Sequence, residues 1–249
     1  MVLFLILYRT KLFFTAFQTC AASAIRRYML TCIKDKIKNL NIVIGCPIGC
    51  RYCYARNNCR RFHITDDFNK PEFYESKLRL FDTKEPKVFL LTGMSDLAYW
   101  QPEWIKKVLE KAATTPQNTY LFLTKRPERL NIQTDLDNLW FGVTVTCAAE
   151  RERIEILKRN VKAKHYHATF EPLSDEVGEV DFTGIEWVVL GTETGNCKGK
   201  TPSEKWWIDG LYAQAKAKNI PVFMKEDLFT QGIITEDGMI QQFPEEFKL

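Results

Sequence analysis

Seven short runs of β-branched and aromatic residues punctuate the chain, and they constrain its fold more than any other feature. They are NIVIG (41–45), KVFLL (87–91), YLFLT (120–124), LWFGVTV (139–145), HYHATFE (165–171), WVVLG (187–191) and PVFMK (221–225). Helical stretches lie between several of them: PEWIKKVLEKAA (102–113), AAERERIEILKRN (148–160) and PSEKWWIDGLYAQAKAK (202–218). For the last, Thr201 as N-cap, Pro202 at the first helical position and Glu204 completing a capping box predict the start. Strands alternating with helices imply a parallel sheet with helices outside it. The 249 residues are 45% hydrophobic and 27% charged, which suits one globular domain and argues against long disorder. The expectation is an α/β fold, doubly wound or, in preference, a full or partial (β/α) barrel of six or seven units over residues 29–249.

The strand faces favour the barrel. A parallel strand buried on both sides is apolar on both faces. The fifth run instead alternates His165, His167, Thr169 and Glu171 with Tyr166, Ala168 and Phe170, and the fourth sets Thr144 and Thr146 against Val143 and Val145. A bare buried polar group costs about 1–3 kcal/mol, so these faces need partners. A polar ligand in a barrel lumen supplies them, with the pocket at the C-terminal ends of the strands. For His165 and His167 taken singly, a satisfied core network or an exposed strand edge explains the residue equally well.

The first 28 residues, MVLFLILYRTKLFFTAFQTCAASAIRRY, are largely apolar, with charges only at Arg9, Lys11, Arg26 and Arg27. Ala22-Ser23-Ala24 resembles a small-residue cleavage site, which would suit a secretory signal. A membrane anchor is a second reading, although Arg9 and Lys11 interrupt the run before it reaches the roughly 20 apolar residues of a span. The favoured reading starts the protein at Met29, with the upstream residues an artefactual extension of the gene. From residue 33 onward the chain reads as a cytoplasmic enzyme, and no stable membrane insertion is expected. Lysines and arginines exceed acids by only four, which permits nucleic-acid binding without arguing for it.

Three of the eight cysteines fall within GCPIGCRYCYAR (45–56), as Cys46-x3-Cys50-x2-Cys53. A disulfide framework would orphan one thiol. A zinc site of Cys46, Cys50, Cys53 and Cys59 has the right ligand number but not the usual two tight pairs across a longer gap. An iron–sulfur cluster held by three thiolates leaves one iron open, and Gly45, Pro47 and Gly49 let the backbone fold around a bulky group. The thiols follow directly on the first run, at the strand end where a barrel builds its site.

CPIGCRYC resembles the cysteine motif of the radical S-adenosylmethionine enzymes, CxxxCxxC with an aromatic residue, here Tyr52, before the third cysteine. That resemblance implies a partial TIM-like barrel and a 4Fe–4S cluster on Cys46, Cys50 and Cys53. It further implies S-adenosylmethionine bound through its amino and carboxylate groups, and a reducing partner such as flavodoxin or ferredoxin. The segments MSDL (94–97), LTKRPERL (123–130), WFGVTV (140–145), FEPL (170–173) and WVVLGTETGN (187–196) are similar, in order and spacing, to a phage-associated branch whose function is not established. Members of that branch often have a longer first gap between cysteines, and the apolar N-terminus has no counterpart there.

Mapped residue by residue, the resemblance places Gly93, Ser95 and Asp96 at the cofactor's amino group, with Lys125, Thr144, Thr146, Glu171, Gly191 and Glu193 on the other strand ends. Ser95 or Asp96 has a second use as a helix cap. Lys125 and Arg126 could bind a carboxylate or phosphate, or be a surface pair. Glu171 could hold a substrate amine, a ribose hydroxyl or Lys125, and Lys225 closes the last strand. A nucleic-acid-directed lyase similar to spore photoproduct lyase is a runner-up, supported by the basic run Arg51, Arg56, Arg60 and Arg61. A non-catalytic zinc protein is the alternative of a different class. Cys147 and Cys197 are expected to be free or buried thiols.

Overall fold

The computed structural model describes residues 30–195 and 199–247. The expectations for residues 1–28 and for Cys197 therefore lie outside the described residues. Seven strands form one parallel sheet: β1 (Ile37–Asn39), β2 (Val88–Leu90), β3 (Thr119–Thr124), β4 (Leu139–Thr144), β5 (His165–Phe170), β6 (Trp187–Leu190) and β7 (Val222–Met224). They hydrogen-bond in chain order, so each strand lies beside its predecessor. A four-residue helix, Ile33–Lys36, precedes β1, and the longer α-helices are α1 (Tyr54–Phe62), α2 (Pro102–Ala113), α3 (Arg153–Asn160), α4 (Lys205–Ala217) and α5 (Glu226–Thr230). Among the described residues no helix is long and apolar enough to cross a membrane.

The sheet curls into a half-barrel, and its two edges approach each other. Ile37 of β1 and Phe223 of β7 belong to one interior cluster with Leu121, Trp140, Trp187 and Val189. Just before β1, the Thr31 backbone N–H donates to the Gln241 side chain, and Gln241 in turn bridges Phe223 of β7. Phe247 plugs the lower end, with its ring 4.9 Å from Trp140 and 5.2 Å from Trp187 in edge contact. Alternate residues on the outer side, such as Phe122, Phe141, Ala168 and Val188, join Val108, Leu157 and Leu211 of the helices in the larger core. The period of two along each strand thus separates a lumen from a helix-packed exterior.

Two expectations about element positions are corrected. The first strand of the sheet is Ile37–Asn39, not residues 41–45. Val43–Ile44 instead pairs antiparallel with Glu72–Phe73, outside the sheet. An edge strand needs few apolar residues, and only Ile37 of β1 is buried, so the apolar run NIVIG was the more conspicuous signal. The chain rejoins the strand ends at Gly45, which makes an isolated parallel bridge to Ser95. Gly45 has φ 118°, and a Cβ there would lie 2.8 Å from the Lys70 carbonyl, so glycine is required.

The second correction concerns α4, which starts at Lys205 with Glu204 as N-cap and no side-chain cap hydrogen bond. The segment before the helix is bonded elsewhere. The Thr201 N–H donates to Glu193, the Ser203 N–H donates to the Thr192 hydroxyl, and the Ser203 hydroxyl donates to the Leu173 carbonyl. These bonds sew the segment onto the ends of β5 and β6. The alternation of strand and helix also lapses between β5 and β6, where residues 171–186 contain no helix.

Candidate functional site

A cavity of about 480 Å³ opens at the C-terminal ends of the strands and extends into the lumen. Cys46, Cys50, Tyr52 and Cys53 line it from the loop, and Gly93, Ser95, Asp96, Lys125, Thr144, Glu171 and Glu193 line it from the strand ends. Two expected residues do not line it. Thr146 lies past the end of β4, where its N–H and hydroxyl both donate to Glu150, capping the turn before α3. Gly191 acts by its lack of a side chain: a Cβ would lie 3.1 Å from Lys225 Cδ and 3.2 Å from Glu171 Cγ.

The thiol loop is held by arginines on either side of its last cysteine. Arg51 pairs with Glu193 at 2.9 Å and donates to the Gly199 carbonyl. Arg56 donates to the Asn69 side chain and to the Cys46 carbonyl, and stacks over Phe68 at 5.0 Å. The basic run therefore does not form one face: Arg51 and Arg56 are paired with the fold, and Arg60 and Arg61 are exposed on α1 without such partners among the described residues. Cys53 is the N-cap of α1, and its sulfur accepts the Arg56 N–H at 3.4 Å. Burial pushes the Cys46 thiol up to about 11, so its proton leaves readily only when a positive centre is bound.

All three thiols are free and partly exposed, whereas Cys59 is 1% exposed and packs with Ile44, Ala55 and Phe68. Cys59 does not line the cavity. Among the described residues, no three Cys, His, Asp or Glu side chains converge on a point that could hold one metal ion. A 4Fe–4S cluster is a larger object, gripped through separate irons by thiols set apart around it, and three free thiols around one cavity fit that requirement.

On the strand ends, sequence-predicted residues divide into those bonded to the fold and those left open. Asp96 is bonded: its carboxylate accepts from the Ala98 N–H, the Thr124 hydroxyl at 2.6 Å and the Lys125 N–H at 2.8 Å. It caps the short helical turn at Leu97–Tyr99 and ties the end of β2 to the end of β3. Burial nevertheless pushes its carboxyl up against the pull of those donors. The Ser95 hydroxyl accepts from the Trp100 indole N–H. Gly93 allows close approach, since a Cβ would lie 2.9 Å from Asn41 Oδ1. Glu193 is left half open: it is 1% exposed, Oε2 takes Arg51 and the Thr201 N–H, and Oε1 is buried without a partner. Lys125 reaches over the Tyr52 ring, 5.8 Å from its centroid, and Arg126 turns outward toward Glu128 at 3.7 Å.

Glu171 pairs with Lys225 rather than with Lys125. Beside them Asp227 accepts the Thr192 N–H through Oδ2, and burial pushes its carboxyl up to about 6. Three contributors lacked a clear sequence signal: Tyr54, whose hydroxyl donates to the Gly93 carbonyl at 2.5 Å; Arg51, hidden in a charge run; and Asp227, which follows a strand as many acids do. Cys147 is free, partly exposed and the N-cap of a short helical turn.

A family model described as a protein of unknown function (DUF5131) matches residues 31–235. The chain belongs to the DUF5131 family. The matched span contains β1 through β7 and every cavity-lining residue named above. No match is found among curated proteins or among solved structures.

Proposed function

We propose that this DUF5131 protein is a radical S-adenosylmethionine enzyme acting on a substrate admitted to the lumen of its half-barrel. The observation that carries the proposal is the convergence of Cys46, Cys50 and Cys53 with the polar strand ends on one cavity, while Cys59 is turned away from it. Cys46, Cys50 and Cys53 would hold three irons of a 4Fe–4S cluster. Such a cluster would supply the electron for reductive cleavage of bound S-adenosylmethionine.

The chain's own residues would bind, orient and enclose. Lys125 would offer a cation to a ligand carboxylate, and Glu193, on the wall of the same cavity, would hold Arg51 beside it. The Arg51–Glu193 pair clamps the thiol loop to the end of β6, and the Tyr54 hydroxyl clamps α1 to the turn after β2. Both contacts would hold the thiol loop in place against the strand ends.

Purified without air and reconstituted, the full chain is expected to bind iron and sulfide in near-equal amounts. With dithionite, or with flavodoxin or ferredoxin as donor, it is expected to release 5′-deoxyadenosine from S-adenosylmethionine. A colourless protein holding one zinc tightly, lost on Cys59→Ala, would overturn the proposal in favour of a four-thiolate site.

A further inference from the structure

The outer surface of α1 carries a strip of side chains that the cavity does not use. Tyr54 opens the helix. It lines the cavity, is 54% exposed, and has its hydroxyl tied to the Gly93 carbonyl, which fixes the ring in place. Beyond Ala55 no residue of α1 lines the cavity, so the helix carries its surface outward from there. A helix returns to the same side at i+3, i+4 and i+7, which sets Asn57, Asn58 and Arg61 in line with Tyr54. All three are exposed, and Ala55 and Cys59 take the buried side. Phe62 flanks the strip at its far end. It is 61% exposed, with the Arg61 guanidinium 5.2 Å from its ring centroid.

The charge of this surface is uncompensated. Arg60 and Arg61 are exposed in the last turn with no carboxylate partner among the described residues, and the sequence has no acidic residue from Lys36 to Thr65. The first acids beyond, Asp66 and Asp67, follow the helix, and Asp67 accepts from the Asn69 N–H and pairs with Lys70 at 3.9 Å. The strip thus holds two open rings about 12 Å apart along the axis, with amides and cations between and beside them. Cations alone suit any polyanion. Open rings interleaved with cations suit a polymer that alternates flat bases with phosphates, and its bases must be unpaired for their faces to be reached.

We propose that α1 is a docking strip for single-stranded nucleic acid. Tyr54 and Phe62 each stack a base, Arg60 and Arg61 hold phosphates between them, and the Tyr54 end of the strand lies at the cavity. The strip is a matter of binding alone and stands whether or not the thiols hold a cluster.

Fluorescence anisotropy of a labelled oligothymidylate, titrated with the full chain, tests this. Binding is expected at low salt, with log K falling against log salt at a slope of about −1.4, the value for two single-strand phosphate contacts. Arg60→Gln with Arg61→Gln should flatten that slope. Phe62→Ser should weaken binding about fivefold or more and leave the slope unchanged, because stacking is not screened by salt. Tyr54→Phe, which keeps the ring, should bind like the parent, whereas Tyr54→Ser should lose as much as Phe62→Ser. Absence of binding at low salt would overturn the inference. So would binding that depends on the arginines, is indifferent to Phe62→Ser and is displaced equally well by polyglutamate, which would mark α1 as a face for an acidic protein.

Discussion

At the end of β2, Asp96 accepts three hydrogen bonds from the surrounding fold, while in the loop above it Cys53 Sγ receives one long bond, from the Arg56 N–H at 3.4 Å. The same contrast runs through both regions. In the strand array, Glu171 is spent on Lys225, His165 on Glu186 and Thr124 on Asp96. In the loop, the backbone and the arginines are spent on the fold and the thiols are left free. One region is built to hold its shape and the other to hold something else. Substitution in the array should therefore cost stability, and substitution of the loop thiols should cost a ligand.

Lys225→Met should show the largest effect, because it leaves Glu171 facing a partly buried void without its cation. Removing one member of a buried pair costs about 3–5 kcal/mol, and the 29% exposure of the Glu171 side chain places the loss near the lower end. Urea unfolding should show this loss, and Glu171→Gln in the same chain should restore most of it. A Lys225→Met protein as stable as the parent would mean that the strand ends are not held by their own pairing.

Two buried groups in the array titrate in opposite senses. His167 has a pKa of about 4 in the folded chain against 6.5 unfolded, so the unfolded chain takes the proton first as pH falls. That lowers stability by about 3 kcal/mol between pH 6.5 and pH 4. Asp227 stands at about 6 folded against 3.8 unfolded, so there the folded chain takes the proton first and gains about 3 kcal/mol over nearly the same window. The two largely cancel in the parent protein. Asp227→Asn removes only the gain, so relative to the parent it should lose about 3 kcal/mol between pH 6 and pH 4. Denaturant melts at the two pH values test this, and a constant difference would show that Asp227 does not titrate there.

Gly142→Ala should cost about 1–3 kcal/mol, because the new methyl group overlaps the His167 ring. His167→Ala in the same chain should relieve the clash, giving a strong coupling between the two positions in a double-mutant cycle. Additive effects would place the imidazole elsewhere. The smallest stability effects belong to the cysteines: about 1 kcal/mol for Cys59→Ala on α1, which empties a small buried volume, and within about 0.5 kcal/mol for Cys50→Ala in the loop. On iron retention the order should reverse, with Cys50→Ala losing the metal and Cys59→Ala keeping it.

Much of this was legible in the residues. Six of the seven strands fall on runs whose apolar and β-branched content marks them, and α2 begins at the proline that announces it. The polar face of β5 correctly pointed to a lumen, because an alternating strand in a parallel sheet has to face something polar. What failed did so for local reasons. β1 is a three-residue edge strand carrying Lys38 and Asn39, too short and polar to stand out against NIVIG. The capping signal before α4 was drawn from Thr201, whose N–H is bonded to Glu193, and the helix starts four residues later, at Lys205. Thr146 continued the period of β4 on paper, but the strand ends at Thr144 and the next hydroxyl turns to Glu150. Pairings such as Arg51 with Glu193 join residues 142 positions apart, a distance that no spacing rule reaches.

The most direct test of the central claim is the low-temperature EPR spectrum of the reconstituted, reduced full chain, recorded with and without S-adenosylmethionine. A cluster held by Cys46, Cys50 and Cys53 with one open iron should give a 4Fe–4S signal that changes shape when S-adenosylmethionine is added, in the parent and in Cys59→Ala alike. A signal indifferent to S-adenosylmethionine, or one that vanishes with Cys59, would contradict it.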